Sequence, residues 1–371
     1  MRRTRDEDAC PGALTVHQAA DGALARIRLP GGMITAAQLE ALAEASLQYA
    51  AGTIELTGRG NVQLRGITDT AAVAESAATA GLLPSPSHEK VRNIIASPLS
   101  GRVGGLTDVR PWVFDLDRSL QDDPDLAGLP GRFLFSLDDG TGDVSGLGAD
   151  AGVQVLTDGV ALLLAGRDTG VRLDRDQAIA TLLDISRRFT AIRGKSWRVS
   201  ELDDPDVLLD GFARAEPTLS VNPVTKPPVG WIEQDDGKVT LGAAVPLGVL
   251  TARQAQFVAA VDAPIVVTPW RSLLICDLDD GVADTSLRVL APLGLVFDEM
   301  SRWLEISACV GSQGCERSLA DVRAEATRVA AAGSGAGRVH YVGCERACGK
   351  PAAGQVLVAT GRGYEPHQSH S

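Results

Sequence analysis

The most constraining feature of the chain is an internal repeat of predicted secondary structure. In the first copy a strand over residues 21–30, a helix over 36–50 and a strand over 53–57 follow one another, and the same order recurs over 236–247, 252–261 and 264–268. Thr35 and Thr251 precede the two helices, where a hydroxyl can accept a hydrogen bond from a free amide of the first turn. Each copy is too small for a stable core of its own. The repeat therefore predicts two β-α-β-like units packed around a pseudo-twofold axis.

The segments outside the repeat are predicted to be mixed α/β. Between the copies lie candidate strands over 133–137, 153–156 and 160–164 and an amphipathic helix over 175–192. Four of the 19 prolines fall in residues 217–230, the best candidate for a linker. After the second copy we expect a helix over 316–332 and a strand over 338–342. A helix that begins at Glu316 would direct the positive end of its dipole toward Cys315.

Four cysteines near the C-terminus form two close pairs. Five residues separate Cys309 from Cys315, three separate Cys344 from Cys348, and glycines accompany both pairs. Thiolates bind the irons of an iron–sulfur cluster, and glycine lets the backbone approach the sulfides. Zinc sites usually space close ligands by about two to four residues, which fits only the second pair. Disulfides are typical of small secreted chains. The spacing favours a cluster, with zinc and unrelated buried thiols as alternatives.

Other potential ligands form no motif. Cys276 lies in an apolar run and is predicted to be an inert buried thiol, whereas Cys10 could line a pocket. The five histidines show no ligand spacing, although His88 precedes Arg92 by four residues. Asp143 could face a pocket, but the acidic runs around it are more typical of solvated turns.

Composition limits the classes of partner. The chain of 371 residues has a net charge of −12, which disfavours nucleic acids and anionic membranes, since both are bound through basic faces. No apolar stretch is long enough to span a bilayer, and residues 1–8 lead into no secretory signal. These observations favour a cytoplasmic redox enzyme without nucleic-acid or membrane partners.

Taken together, the cysteine pairs and the repeat resemble the nitrite/sulfite reductase superfamily over nearly the whole chain. The C-x₅-C and C-x₃-C pairs match that family's cluster motif, and residues 29–32, 56–66, 91–94 and 135–143 resemble its cobalamin-biosynthesis branch. The resemblance implies an α+β fold, with ferredoxin-like half-repeats at residues 1–80 and 223–298 in a pseudo-twofold core. A tetrapyrrole-binding α/β domain would occupy residues 81–222, and a cluster-binding domain residues 299–371.

Three arginines fall on positions at which the family binds anions. Arg59 lies in a Thr-x-Arg-x-Asn-x-Gln run, Arg92 in Val-Arg-Asn-Ile, and Arg132 takes the position of a lysine in sulfite reductases. Two residues on, where those enzymes carry another lysine, this chain has Leu134. Each arginine alone could equally be a surface charge or a salt-bridge partner. Bidentate arginines suit carboxylates, so the pattern favours a carboxylate-rich tetrapyrrole over sulfite. Arg65 is a further possible contact.

The resemblance also implies a reaction and its cofactors. A [4Fe–4S] cluster would be held by Cys309, Cys315, Cys344 and Cys348, and Cys348 takes the position that bridges to a siroheme iron in the reductases. A further iron centre, mononuclear iron or siroheme, is possible. The branch implies a monooxygenase that hydroxylates and lactonises the tetrapyrrole precorrin-3A with O₂. The electron donor would be NAD(P)H, directly or through a reductase, because the glycines of 333–337 lack a dinucleotide-binding pattern.

Two other classes remain open from the sequence. One is a siroheme-containing nitrite or sulfite reductase, against which Leu134 argues. The other is a non-catalytic electron-transfer protein, against which the three arginines argue.

Overall fold

The computed structural model describes residues 10–333 and 337–368. Within these ranges, no helix combines the length and the apolar character that a membrane span requires.

The first half-repeat folds around a helix that starts at the expected threonine. Its elements are β1 (His17–Ala19), β2 (Gly22–Ile27), β3 (Met33–Ile34), α1 (Ala36–Tyr49), β4 (Thr53–Leu56), β5 (Val62–Ile67) and α2 (Thr70–Thr79). Thr35 Oγ1 accepts from Gln38 N at 3.2 Å, and Gln38 Oε1 accepts from Thr35 N at 3.0 Å. This reciprocal capping box confirms the predicted N-cap.

The second half-repeat has the same order of elements. It contains β11 (Gly230–Glu233), β12 (Val239–Ala244), β13 (Val249–Thr251), α5 (Ala252–Ala259), β14 (Ile265–Val267), β15 (Ser272–Leu278) and α6 (Asp280–Leu290). Strands β6–β10 and helices α3 and α4 belong to the domain between the half-repeats, described below. Thr251 and Gln254 form the matching capping box at the start of α5. The repeat predicted from the sequence is therefore confirmed down to its helix caps.

The two half-repeats exchange a short strand. The first sheet has the order β1-β2-β5-β4-β13 and the second β11-β12-β15-β14-β3, so each ends on a strand from the other copy. Leu250 pairs with Ile54, and Ile34 pairs with Ile265. Buried apolar side chains of both copies, among them Leu39, Leu64, Leu241 and Ile275, form one continuous core. The predicted pseudo-twofold unit is thus a single folding unit with a shared core.

The domain between the half-repeats is a sheet covered by helices. It contains β6 (Ile94–Ala96), α3 (Arg110–Gln121), β7 (Phe135–Asp138), β8 (Ala151–Leu156), β9 (Gly159–Leu164), β10 (Arg167–Leu173) and α4 (Ala178–Ile192). The strand order is β10-β9-β8-β7-β6. Phe133 packs against Phe135 and Phe189 with ring centroids 5.0 and 5.2 Å away. The predicted strands and amphipathic helix are present, with ends shifted by a few residues.

In the C-terminal domain, one helix begins later than predicted. The domain contains β16 (Ile306–Ala308), α7 (Val322–Ala331), β17 (Val339–Val342), β18 (Gln355–Thr360) and β19 (Gly363–Pro366). The helix expected from Glu316 begins instead after the N-cap Asp321, which accepts a hydrogen bond from Ala324 N. The preceding loop bonds elsewhere, with Ser318 N donating to Cys315 O and Leu319 N donating to Gly343 O. A helix dipole directed at Cys315 was therefore a wrong prediction, and residues 334–336 lie outside the described ranges.

We expect Gly32→Ala to disrupt the strand exchange. Gly32 has φ +72 and precedes β3, and a Cβ there would lie 2.0 Å from Val267 O. Because backbone must move to relieve this clash, we expect the free energy of unfolding in urea to fall by about 2 kcal/mol or more. Gly281→Ala in α6 is the control, since a Cβ there meets nothing within 4 Å. Equal urea midpoints for wild type and Gly32→Ala would contradict the packing described.

Candidate active site

The two cysteine pairs leave the same edge of the C-terminal sheet. Cys309 follows β16 directly, and Cys344 comes two residues after β17. These strands are parallel neighbours, with Ala308 opposite Tyr341, and Cys309 N donates to Tyr341 O at 2.9 Å. Carboxyl ends of parallel strands meet at one edge, so the topology gathers loops that are distant in sequence.

The four thiols are close enough to influence one another. Gly343 N donates to Cys309 Sγ at 3.3 Å. Burial raises the pKa of the Cys348 thiol, Arg346 opposes this, and Cys309, Cys344 and Cys315 raise the pKa further. All six cysteines are free thiols. Four thiols that influence one another are the kind and number of donors that an iron–sulfur cluster takes, and its positive irons would offset the repulsion between thiolates.

A buried histidine that the sequence did not single out holds the second cysteine loop. His340 on β17 is fully buried, with Nδ1 2.8 Å from Ser307 Oγ and Nε2 3.0 Å from Cys348 O. Burial lowers its pKa. His88 lies in a separate network with Ser85, Ser87 and Asp123 O. Among the residues the structure describes, no group of three or more His, Cys, Asp or Glu side chains is arranged to hold a single metal ion.

A cavity of about 470 Å³ lies beside the cysteine loop and touches every domain. Gly349 and Lys350, immediately after Cys348, form one wall. The other walls include side chains of the half-repeats, the central domain and the C-terminal domain: Leu147, Leu247, Trp270, Arg271, Trp303 and Arg338. Indole rings and cations thus face one space, which suits a flat apolar ligand with anionic substituents.

Two of the three predicted arginines lie together near this cavity. Arg59 follows the cavity-lining Gly58, and its Nη1 donates to Arg132 O at 3.1 Å. Burial lowers the pKa of Arg59 to about 10, helped by Arg198 and opposed by Cys10 and Asp150. The Arg132 guanidinium stacks over the Trp197 ring, 5.4 Å from its centroid. A guanidinium desolvated by burial is stabilised by an anionic ligand.

The third predicted arginine lies elsewhere. Arg92 is buried in a bidentate ion pair with Asp117, with Nε–Oδ1 and Nη2–Oδ2 distances of 2.7 and 2.9 Å. It lines a different cavity, of about 490 Å³, that also includes Arg28 and Phe114. Arg65 is likewise paired, with Asp21 at 2.8 Å, and it donates to Gly314 O beside Cys315. Arg65 therefore supports the first cysteine loop.

Leu134 lies in an apolar cluster behind the cavity. It is 3% exposed and groups with Ile95, Val144 and Ala149, and the cluster packs against the cavity residues Leu147 and Trp270. An ammonium group at this position would have to be buried among apolar side chains. The wall of the cavity here is therefore apolar.

Cys10 and Asp143 lie at the edges of the site. Arg26 Nη1 and Arg28 Nη2 each approach Cys10 Sγ at 3.4 Å. Asp143 accepts from Ser97 Oγ at 2.6 Å, and its carbonyl accepts from the cavity residue Thr225. Cys276, fully buried on β15, has its pKa raised to about 11 by burial, as an inert thiol would.

The architecture is that of a nitrite/sulfite reductase. Residues 17–78 match the model of the nitrite/sulfite reductase ferredoxin-like half domain. The solved structure of the Mycobacterium tuberculosis NirA protein superposes with a TM-score of 0.75 at 19% identity, over 93% of this chain and 73% of that one. The α+β fold predicted from the sequence is confirmed.

Among named proteins, the chain is similar to precorrin-3B synthase from Sinorhizobium sp, with 27% identity over 96% of this chain and 81% of that protein. It is also similar to ferredoxin–nitrite reductase from Synechococcus elongatus, with 24% identity over 90% of this chain and 75% of that protein. Both relatives are oxidoreductases. The predicted resemblance to this superfamily and to precorrin-3B synthase, and the interpretation as an oxidoreductase, are confirmed.

We expect Asp143→Asn to change how stability depends on pH. Burial raises the pKa of Asp143 from 3.8 to about 7, with Asp138 and Asp139 adding to it and the hydrogen bond from Ser97 opposing it. The folded protein therefore binds the proton more tightly than the unfolded chain, so this carboxyl costs stability as pH rises from about 4 to about 7.

Asparagine keeps the acceptor for Ser97 without the charge. At about pH 4, where the folded and unfolded carboxyls are both largely protonated, the variant should nearly resemble wild type, and at pH 8 it should be more stable in urea by up to about 4 kcal/mol. Asp158→Asn, at an exposed position, should show no such difference. A pH-independent difference for Asp143→Asn would show that Asp143 does not titrate in this range.

Proposed function

We propose that this protein is an iron–sulfur monooxygenase of aerobic cobalamin biosynthesis that converts precorrin-3A to precorrin-3B. One observation carries the proposal: the cavity beside Cys348 combines indole rings and cations with an apolar wall at Leu147, which packs against the cluster that contains Leu134. A small anion depends on every local cation, whereas a tetrapyrrole spreads its contacts over a ring and many carboxylates. The similarity to precorrin-3B synthase supports the same conclusion.

Cys309, Cys315, Cys344 and Cys348 would hold a [4Fe–4S] cluster. When bound, such a cluster supplies electrons one at a time. His340 orients the loop through Cys348 O, and Arg65 braces the loop before Cys315 through Gly314 O. Whether siroheme, a mononuclear iron or the substrate alone occupies the space beside the cluster, the same residues line it.

In the proposed reaction, one atom of O₂ enters the macrocycle at a meso carbon and a side-chain carboxylate closes a lactone. The second oxygen atom leaves as water, for which NAD(P)H, directly or through a reductase, supplies two electrons and one proton and the solvent supplies the second proton. The protein would bind the carboxylates of the substrate at Arg59 and neighbouring cations, and it would enclose the macrocycle between Trp270 and Trp303. Enclosure keeps water from the reacting carbon.

The decisive experiment offers precorrin-3A, O₂ and an electron donor to the anaerobically purified protein. We expect a product heavier by one oxygen atom, about 16 Da, with the atom derived from labelled O₂. Sulfite and nitrite reduction should be negligible in the same preparation. Sulfite or nitrite turnover without an oxygen-dependent tetrapyrrole product would instead support a siroheme-containing reductase.

Replacement of the cluster cysteines tests the cofactor. Cys344→Ser should lose iron and acid-labile sulfide, because a hydroxyl is a poor substitute for a thiolate ligand. Cys276→Ser is the matched control, since this thiol is buried on β15 and lies outside the four. A Cys344→Ser protein with the full iron and sulfide content of wild type would refute the cluster assignment.

Measurements of ligand binding and of stability together distinguish the roles of Arg59 and Arg92. Arg59→Ala should weaken tetrapyrrole binding about tenfold to a hundredfold and leave the iron content unchanged. Arg92→Ala should change binding little, because Arg92 lines a different cavity and is paired with Asp117. It should instead lower stability, because it leaves the Asp117 carboxylate without its ion-pair partner. Arg118→Ala, at an exposed position on α3, is the control. Unchanged binding in Arg59→Ala would remove this arginine from the site.

A further inference from the structure

Two turns related by the repeat face the cavity with different residues. The first spans Thr57–Asn61 and the second Thr268–Ser272, and their hydrogen bonds match. Thr57 N donates to Asn61 O at 2.8 Å and Thr268 N to Ser272 O at 2.9 Å. Each threonine Oγ1 also accepts from the residue two positions on, Arg59 N at 3.4 Å and Trp270 N at 3.3 Å.

The fourth position of each turn is left-handed. Gly60 occupies it in the first turn with φ +66, and Arg271 occupies it in the second with φ +60. Glycine adopts this conformation without steric cost, whereas an L side chain rarely does. Strain that persists in a cavity wall points to a role for the side chain itself.

The Arg271 guanidinium is a partly buried cation in the wall of the cavity. The aliphatic part of the Arg271 side chain lies against Gly248. Its Nη2 lies close to Gly349, the residue after Cys348, since a Cβ added to Gly349 would be 3.0 Å from it. Among the described residues, no side-chain hydrogen bond or ion pair to it is found. Burial lowers the pKa of Arg271, and the nearest opposing charge is Glu55.

Glu55 does not neutralise this cation. Its carboxylate is already taken by Arg323 Nη2 and by Gln63 Nε2, each at 2.5 Å. Arg323 itself adds to the positive field around Arg271. A partly buried guanidinium in the positive field of a second arginine is stabilised by a counter-ion, so this point of the cavity favours an anion.

We propose that Arg271 binds a carboxylate of the tetrapyrrole in the cavity, on the side next to the Cys348 loop. The inference rests on the proposed function, since it takes the ligand to be a carboxylate-bearing macrocycle. Trp270, the preceding residue, lies in the same wall and offers a ring to the macrocycle. A guanidinium presents two parallel N–H donors to a carboxylate, which fixes orientation as well as affinity.

The strained turn makes an unusual test possible. Arg271→Gly removes the guanidinium and gives the second turn the residue that the first turn has. It should unfold at a temperature no lower than wild type, because left-handed strain is relieved. It should bind uroporphyrin III, a stable octacarboxylate porphyrin, about tenfold to a hundredfold more weakly in absorbance titrations. Arg271→Lys should recover part of the affinity.

Arg253→Gln removes an exposed cation from α5 and controls for net charge. Iron and sulfide are measured on every variant. Wild-type protein that fails to bind uroporphyrin III overturns the proposed function and this inference with it. Tight wild-type binding that Arg271→Gly retains overturns the inference alone. An Arg271→Gly protein that unfolds earlier or loses its iron assigns Arg271 a structural role and also overturns the inference.

Discussion

The reciprocal exchange of β3 and β13 is the constraint on which the rest of the structure depends. Each of these strands completes the other copy's sheet, so neither half-repeat has a finished edge or a closed core alone. The exchange fixes the two copies as a pseudo-symmetric pair. Each exchanged strand follows a turn with a left-handed residue, Gly31 in one copy and Leu247 in the other. The cavity borders this junction, since Leu247 and Gly248 line it.

The arginines of this acidic protein fall into two physical groups. Arg65, Arg92 and Arg102 are held in bidentate pairs with Asp21, Asp117 and Asp277, across 2.7–2.9 Å. Such pairs join distant segments, as Arg102 joins the central domain to β15. Arg59 and Arg271 have pKa values lowered by burial instead. The first group links segments within and between domains, and the second leaves positive charge for a ligand.

The thiols and the cavity are organised by one sheet. Because β16 and β17 are parallel, the loops that follow them meet at one edge of the sheet. His340 on β17 connects the Cys348 loop to this sheet through the hydrogen bond between its Nε2 and Cys348 O. The same loop continues into Gly349 and Lys350, which border the cavity. Under the proposed function, electron supply and ligand binding would therefore lie on adjacent residues, which gives a short path for electron transfer.

Local patterns in the sequence determined the repeat, the caps at Thr35 and Thr251 and the paired cysteines, because their signals lie within a few residues. The exchanged strands carried no such signal: β3 spans only Met33–Ile34, and its partner Ile265 is far along the chain. The expected helix after Cys315 failed because the loop bonds to Gly343, a contact that propensity does not encode. The sequence motifs made Arg59 and Arg92 equally good candidates for the site. Only the tertiary structure shows that Arg92 is paired with Asp117. It also leaves Arg271, which belongs to no motif, as a partly buried cation in the cavity wall, since charge pairing depends on distances that only the folded chain defines.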